Sequence, residues 1–472
     1  MNMRTPMVFV AAALALAGCT MIPKYERPPL PVPDSFPASA GARDDSTASA
    51  ATAGSTAAAT GWREYFLDER LRTVIERALE NNRDLRIAAL SVEQAAALYR
   101  VRRAEITPTF GIQAAGQKTW LPERMTESGN AGATEQYSVE VGFMSWEIDL
   151  FGRLRSLKKG ALEQYLATEQ AQRAVRTSLV AGVASSWLRL AADSECLHLA
   201  EATIAAQSAS RDLVKASRDA GVASDLDISQ VESQVETARA SRAEFAGAVG
   251  VDRHTLELLV GSPLPDELLP RDLSVLADLP ALAAGLPSEV LLARPDILAA
   301  EHRLRAANAD IGAARAAFFP HISLTAALGT LSPDLSHLFA SDTHSWRYAP
   351  VVQMPIFGGG GPRANLKMTN IEREIAVATY EKAIQSAFAE VADALTLRAT
   401  LLEQREAWDR LLASLEQTLS LSDARYKAGL DGYLGVLVAQ RSLFSAQQAG
   451  VALRLAEKAN RIALYKALGG GS

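Results

Sequence analysis

The chain is written twice, and this duplication limits its fold more than any other feature. Ala104-Glu105-Ile106-Thr107-Pro108 closes one helical run and opens into Thr109-Phe110-Gly111-Ile112; Ala316-Ala317-Phe318-Phe319-Pro320 does the same before His321-Ile322-Ser323-Leu324. The alignment that joins Pro108 to Pro320 also joins Asp84 to Asp296, Ala95 to Ala307 and Arg103 to Arg315 without a gap. A second set of landmarks follows at similar spacing. Phe151-Gly152 matches Phe357-Gly358, Ala220-Gly221-Val222 matches Ala428-Gly429-Leu430, and Gly261 matches Gly469. A period of about 210 residues is a duplicated half-domain, far too long for a solenoid unit. Length alone suggests about three domains; the repeat argues for one pseudo-symmetric body instead.

Each half mixes long helices with short alternating strands. The first half, 62–262, begins with helices over 71–78 and 84–106. Phe110, Ile112 and Ala114 then alternate with smaller or polar neighbours in a strand over 109–117. A polar loop over 121–135 leads to a second strand, 136–146, whose face carries Tyr137, Val139, Val141 and Phe143. Helices over 153–219 and 226–259 complete the half, broken at Ala220-Gly221. A connector, 263–287, carries Pro263, Pro265, Pro270 and Pro280. The second half, 288–472, repeats the plan with a helix over 295–319 and strands over 321–330 and 346–356. Trp346, Tyr348, Val352, Met354 and Ile356 supply the apolar face of the last strand. Helices over 363–427 and 434–468 follow, with Ile384, Phe388, Val391 and Leu395 at helical spacing.

Residues 1–18 have the form of a bacterial export signal: Arg4, then a short apolar run, then Leu16-Ala17-Gly18-Cys19. That string resembles a lipobox, so Cys19 is expected to carry N-acyl and S-diacylglycerol chains that hold the N-terminus to a membrane. Thr20 follows the cysteine, where an aspartate would resemble an inner-membrane retention signal. The rest of the leader region, 19–61, reads as a proline-rich extended stretch and an Ala/Ser/Thr/Gly tether. Cys196, the other cysteine, sits in an apolar helical stretch and reads as a core residue. No run after the leader is apolar enough for a membrane-spanning helix.

A net charge of −6 disfavours a nucleic-acid partner. Four strands cannot close a barrel, and an open sheet cannot sit in lipid with unpaired edges. With apolar outer faces and small or polar inner faces, the strands suit a shared barrel; three chains would give about twelve strands and an aqueous lumen. The long amphipathic helices read as an antiparallel coiled-coil cylinder about 100 Å long. The alternatives are a four-stranded sheet packed on helices away from lipid, or a lipid-anchored coiled-coil scaffold.

Three segments carry a family resemblance. Trp146-Glu147-Ile148-Asp149-Leu150-Phe151-Gly152-Arg153 resembles the strand-to-helix motif of OprM/NodT-type outer-membrane lipoproteins of RND efflux pumps. Leu286-Pro287-Ser288 with Leu291 and Arg294-Pro295-Asp296-Ile297 through Ala300-Glu301 is similar to their mid-chain motif. Arg425-Tyr426-Lys427-Ala428-Gly429, Tyr433-Leu434 and Ala439-Gln440-Arg441-Ser442-Leu443-Phe444 resembles their last turn and helix. The likeness spans the chain from Cys19. It implies a TolC-like homotrimer, mainly α, with a 12-stranded β-barrel, a long α-helical barrel and a mixed equatorial region. It also implies an outer-membrane exit duct for drugs and toxic compounds, working with a periplasmic adaptor and an inner-membrane RND transporter. The same fold serves as a duct for protein secretion, which stands as a nearby alternative.

The turns at Gly221 and Gly429 are the candidate adaptor contacts. Asp227 and Tyr426 stand where the family forms its closed-gate network, and Asp431 joins them as a gate candidate. Family members often carry carboxylates in the last helix near this tip, where this chain has Gly435 and Val438. Leu434 and Val438, one helical turn apart, are therefore candidates for an apolar constriction that resists wetting. No enzymatic motif is present: the six histidines are scattered, the Gly358 to Gly361 run leads into Pro362-Arg363 rather than Lys-Ser/Thr, and no Gly-x-Ser-x-Gly elbow occurs. No cofactor or metal is expected beyond the lipid on Cys19.

Overall fold

A computed structural model describes residues 20–36, 61–125, 130–273 and 287–470. Cys19, the 38–60 tether and part of the proline-marked connector lie outside the described residues. The first half consists of α1 (Trp62–Tyr65), α2 (Glu69–Asn81), α3 (Arg83–Ala104), β1 (Phe110–Leu121), β2 (Gly132–Glu147), α4 (Arg153–Asp219) and α5 (Asp225–Val260). The second consists of α6 (Pro295–Ala316), β3 (His321–Ser332), β4 (His344–Gln353), α7 (Gly361–Lys427) and α8 (Leu434–Ala467). The duplication persists in detail: α3 and α6 each have 22 residues, and α4 and α7 each have 67. Gly152, Gly221 and Gly261 hold positive φ, and so do Gly360, Gly429 and Gly469, each 208 positions later. The conformational counterpart of Gly152 is thus Gly360, slightly beyond the sequence match to Gly358.

The elements differ from expectation mainly at their ends. The helix expected over 295–319 stops at Ala316. Phe318 and Phe319 donate to carbonyls three residues back, tightening the chain before Pro320, which disfavours helical geometry in the residue preceding it. The hairpin of β1 and β2 runs further than expected, to Leu121 and from Gly132, because polar side chains still pair across it: Lys118 opposes Glu135 and Thr119 opposes Thr134. β4 ends at Gln353 rather than 356. Its partner strand begins at His321, which pairs with Gln353, so Met354 and Ile356 have no strand to bond to. An irregularity between Phe143 and Trp146 was not expected. It is a β-bulge in which Ser145 holds φ 54, and its N–H donates to Thr325 Oγ1 at 3.1 Å.

The described chain divides into two compact units. The first comprises Met1–Pro29, Ser91–Thr168 and Ala299–Tyr380. It holds the sheet, whose order is β1-β2-β3-β4 with every neighbouring pair antiparallel. Its register aligns one residue from each strand into rows. Ile112, Val141, Leu328 and Trp346 form one row, and all four are exposed apolar side chains on the same face. The adjacent row, Gln113, Glu140, Gly329 and Ser345, faces the other way and is polar or small. There Arg347 Nη2 reaches Glu140 Oε1 at 2.9 Å. The N-terminal strap lies on α6: Arg27 pairs with Glu301 at 2.8 Å, and Asn308 donates to the Pro23 carbonyl.

The second unit comprises Leu30–Leu90, Glu169–Leu298 and Glu381–Ser472. Its core gathers Tyr65, Phe66, Leu71, Ile75, Trp187, Leu256, Val260, Ile462 and Tyr465. Two of its buried aromatic side chains have polar partners: Trp187 Nε1 donates to Leu268 O at 3.1 Å, and Tyr65 Oη donates to Arg461 O at 2.9 Å. Arg294 is buried with its charge paired. It reaches Asp296 at 2.8 Å and Glu390 at 2.9 Å, and donates to the Ala467 carbonyl at 2.7 Å, which satisfies the last turn of α8. Cys196 lies in this core, and burial pushes its thiol up to about 11. No described helix is long and apolar enough to cross a membrane.

Candidate functional site at the two helical turns

All the candidate residues beyond Cys19 lie at the ends of two helical hairpins in the second unit. α4 ends at Asp219, and Gly221 follows with φ 77; its N–H donates to Arg218 O at 2.8 Å while Val222 N–H donates to Ser217 O at 2.9 Å. α7 ends at Lys427, and Gly429 follows with φ 72; its N–H donates to Tyr426 O at 2.9 Å while Leu430 N–H donates to Arg425 O at 3.0 Å. Both are paired-bond glycine caps, which satisfy the last helical carbonyls with a left-handed residue. A Cβ on either glycine would meet nothing within 4 Å, so the need for glycine is conformational rather than steric.

In such caps an apolar residue after the glycine usually packs back on the helix. Here it does not. Val222 is 83% exposed and Leu430 is 68% exposed, because the positions they would cover are Ser217 and Arg425. Leu226, Leu434 and Val438 are exposed as well. Behind this apolar surface the two hairpins share a small core of Val214, Val231, Tyr433, Val436 and Leu437. Tyr426 packs edge-on against Tyr433 at 5.0 Å between ring centroids. Burial raises the Tyr433 hydroxyl above its ordinary range.

The helices that leave the turns are held differently. α5 starts with a capping box: Ser224 Oγ accepts from Asp227 N at 3.2 Å, and Asp227 Oδ2 accepts from Ser224 N at 2.8 Å and from Ser224 Oγ at 2.7 Å. Those bonds hold the Asp227 carboxyl below the usual aspartate range. α8 starts at Leu434 with Tyr433 preceding it in helical conformation and no side-chain cap. Each turn is spanned by an ion pair, Arg218 to Asp225 at 3.2 Å and Arg425 to Asp431 at 2.5 Å. The second pair lowers the Asp431 carboxyl.

The structure therefore brings Tyr426 into the shared core and places Asp227 in a cap. Among the described residues no hydrogen bond joins the two. Leu434 and Val438 are exposed on α8, whereas Val436 and Leu437 between them are buried. Sequence reasoning missed Ser224 as a capping partner, although Ser224-x-x-Asp227 is a readable signal. It also missed the ion pairs of Arg218 and Arg425, although Arg425 opens the motif that runs to Gly429.

A model of the outer membrane efflux protein family matches residues 74–262 and 286–470, one match in each copy of the repeat. The toluene efflux pump outer membrane protein TtgC of Pseudomonas putida is 44% identical over 462 residues, covering 97% of this chain and 94% of that protein. A solved membrane protein from Pseudomonas aeruginosa is 39% identical with a TM-score of 0.88, covering 96% of this chain and 98% of that one. The open state of the Neisseria gonorrhoeae MtrE outer membrane channel is 37% identical with a TM-score of 0.85, covering 96% of this chain and 98% of that one.

Proposed function

We propose a function for this chain on the ground that it belongs to the outer membrane efflux protein family. It is the outer-membrane exit duct of a tripartite RND-type efflux system and lets drugs or toxic compounds leave the cell passively. One observation carries this reading. The sheet has an exposed apolar face, a polar opposite face and two strand edges, β1 and β4, that no described strand covers. Lipid cannot hydrogen-bond such edges, so copies must close the sheet on one another. Three copies supply twelve strands, enough for a water-filled lumen. The polar face, with Glu140 and Arg347, would then line that lumen.

The chemistry asks for no catalytic group here. A passive duct needs only a polar path and a constriction, and the energy comes from an inner-membrane proton-driven transporter. The exposed Val222 and Leu430 suit contact with a periplasmic adaptor, since apolar side chains left free on glycine-capped turns gain most from being covered. Asp227, Tyr426, Asp431, Leu434 and Val438 surround those turns and are the gate candidates. Leu434 and Val438 supply an apolar ring that resists wetting when closed. Acylation at Cys19 would hold the strap at residues 20–29 to the outer membrane.

Planar-bilayer recording tests the duct: purified protein should conduct, and Leu434→Ala with Val438→Ala should raise the closed-state conductance. Protein that never conducts, even with both residues replaced, would end this reading. Deleting the gene should sensitise cells to a drug panel, and complementation with Cys19→Ala reports whether the lipid is needed for that protection.

A further inference from the structure

A cavity of about 330 Å³ lies in the first unit where the strands give way to the helices. Ile148, Phe151, Ala317, Phe319, Ile322 and Met354 supply apolar walls. Phe151 and Phe319 stack at 4.8 Å between ring centroids, which fixes one side. The charged groups that line the space are already paired. Glu147 Oε1 accepts from Arg153 Nε at 2.9 Å and lies 3.4 Å from His321 Nδ1. Asp149 accepts from the N–H groups of Leu154 and Arg155 at the start of α4 and pairs with the Arg155 side chain at 3.1 Å. With these charges met, the cavity suits a neutral ligand made largely of hydrocarbon, and its volume is at the low end for a ligand pocket.

The N-terminal strap runs toward this cavity along one stripe of α6. Arg27 and Tyr25 bond to Glu301, the Pro23 carbonyl accepts from Asn308, and Ile22 N lies 2.9 Å from where a Cβ on Gly312 would stand. Glu301, Asn308 and Gly312 recur at helical spacing. Ala316, one turn beyond Gly312 on that stripe, lines the cavity. On α4 the strap meets Ser156, whose Oγ is 2.7 Å from the same Cβ position, and Arg153 one turn before it also lines the cavity. The strap is extended here. Its five steps from Arg27 to Ile22 match eleven steps of α6 from Glu301 to Gly312, about 17 Å by either count.

We propose that this cavity receives the lipid of the chain's own Cys19, with the glyceryl esters and the first methylenes of its acyl chains against Phe151, Phe319 and Met354. The proposal rests on acylation at Cys19 and goes beyond it by giving the lipid a seat on the protein. Cys19 precedes Ile22 by three residues, which reach about 10 Å when extended. Ala316 is about 6 Å beyond Gly312 along the helix, so that reach carries the cysteine past it to the level of Phe319. The occupant is attached at the right place and has the right chemistry. Its chains are neutral, and its ester carbonyls are acceptors that the side-chain amide of Gln353, on the same wall, can serve. The remainder of each chain continues into the bilayer. The lipid thereby ties the strap to the junction of sheet and helices, besides holding it to the membrane.

The test uses full-length protein in membranes with Cys196→Ser and Ala317→Cys. It is made either with its own leader or as Cys19→Ala behind an ordinary cleavable export signal. A soluble maleimide reads access to position 317. Lipidated protein should label about tenfold more slowly than unlipidated protein. Leu335→Cys, beyond the far end of β3 from the cavity, should label equally in both. Equal rates at 317, whether fast or slow, overturn the proposal. Where the unlipidated chain does not assemble, a benzophenone side chain in place of Ala317 in the lipidated protein gives a second reading. Ultraviolet light should join it to the tryptic peptide 19–24 through an acyl chain. Joining to free phospholipid alone shows that the bilayer fills the cavity, and joining to another protein chain shows a protein contact; either result, or no joining at all, overturns the seat. Mass spectrometry of the peptide separates the two ways to fail. A lipid that is present but outside the cavity removes the seat alone, whereas a peptide without lipid removes the anchoring at Cys19 as well.

Discussion

The turn at Gly221 and the turn at Gly429 share a backbone and differ in what holds the helix that follows. Both glycines have nearly the same φ, and both close the same pair of backbone bonds. After Gly221 a reciprocal cap between Ser224 and Asp227 fixes the start of α5. After Gly429 no side-chain cap exists, and the start of α8 is held by burial of Tyr433, Val436 and Leu437 and by the exposed pair of Arg425 and Asp431. Duplication has kept the geometry that a turn needs and let the side-chain locks diverge. A locally capped helix start resists fraying without help from its neighbours. One held by tertiary packing loosens as soon as its neighbour moves. Opening at the tips is therefore expected to begin at α8 while α5 stays formed.

Removing the packing that stands in for a cap should act most strongly. Tyr433→Ala deletes a buried aromatic ring shared by both hairpins, a change worth about 3 kcal/mol or more. Hydrogen exchange should then speed up at 425–440 and much less at 217–230; equal acceleration of both would show that the turns are not held separately. Valine at either glycine should cost about 1–2 kcal/mol from the left-handed φ alone, since a side chain meets open space at both. Gly221→Val and Gly429→Val should therefore lower the unfolding temperature of the assembly by similar amounts. Ser224→Ala should cost about 1 kcal/mol and act on one turn only. Exchange at 224–228 should rise while 433–437 is unchanged, and Ser224→Thr should recover most of the loss.

Much of this was legible before the structure. The alternation of Ile112, Val141, Leu328 and Trp346 was visible strand by strand, and the register confirms that all four share one face. The glycines of both turns were visible because only a residue without Cβ holds that φ cheaply. What sequence could not place was anything that depends on a partner. β4 stops at Gln353 because His321 begins its neighbour, and the one local hint was Pro355, which has no N–H to give a ladder. The bulge at Ser145 follows from the need to keep Trp146 pairing with Leu324, a long-range demand that leaves no local mark. Tyr426 and Tyr433 look alike along the chain, yet the former is partly exposed and the latter is buried between hairpins.

Acid separates the two turns by the weakest effect, and by its salt dependence. The carboxyls of Asp227 and Asp431 are both lowered in the folded protein. Each therefore contributes stability that is fully present above the unfolded aspartate value of about 3.9 and is lost as pH falls through the lowered folded value. Neutral and mildly acid conditions should leave both turns intact, and loosening should begin only below about pH 4. The causes differ, however. Asp227 is lowered by bonds from the Ser224 backbone and hydroxyl, which salt does not screen. Asp431 is lowered first by a hydrogen bond from Arg425 and then by the arginine's charge, on an exposed surface where 1 M salt shortens the screening length to about 3 Å and weakens only the charge part. A fluorophore on Val222→Cys or Leu430→Cys, with the buried Cys196 left unlabelled, reports each turn separately. Acid should change both signals at low salt. At 1 M salt the Leu430 signal should lose part of its acid step while the Val222 signal keeps all of it, and Asp227→Asn should remove the step at Val222 alone. Matching salt dependence at the two turns would mean that the cap and the ion pair hold their helices in the same way, and the order of opening argued above would fall with it.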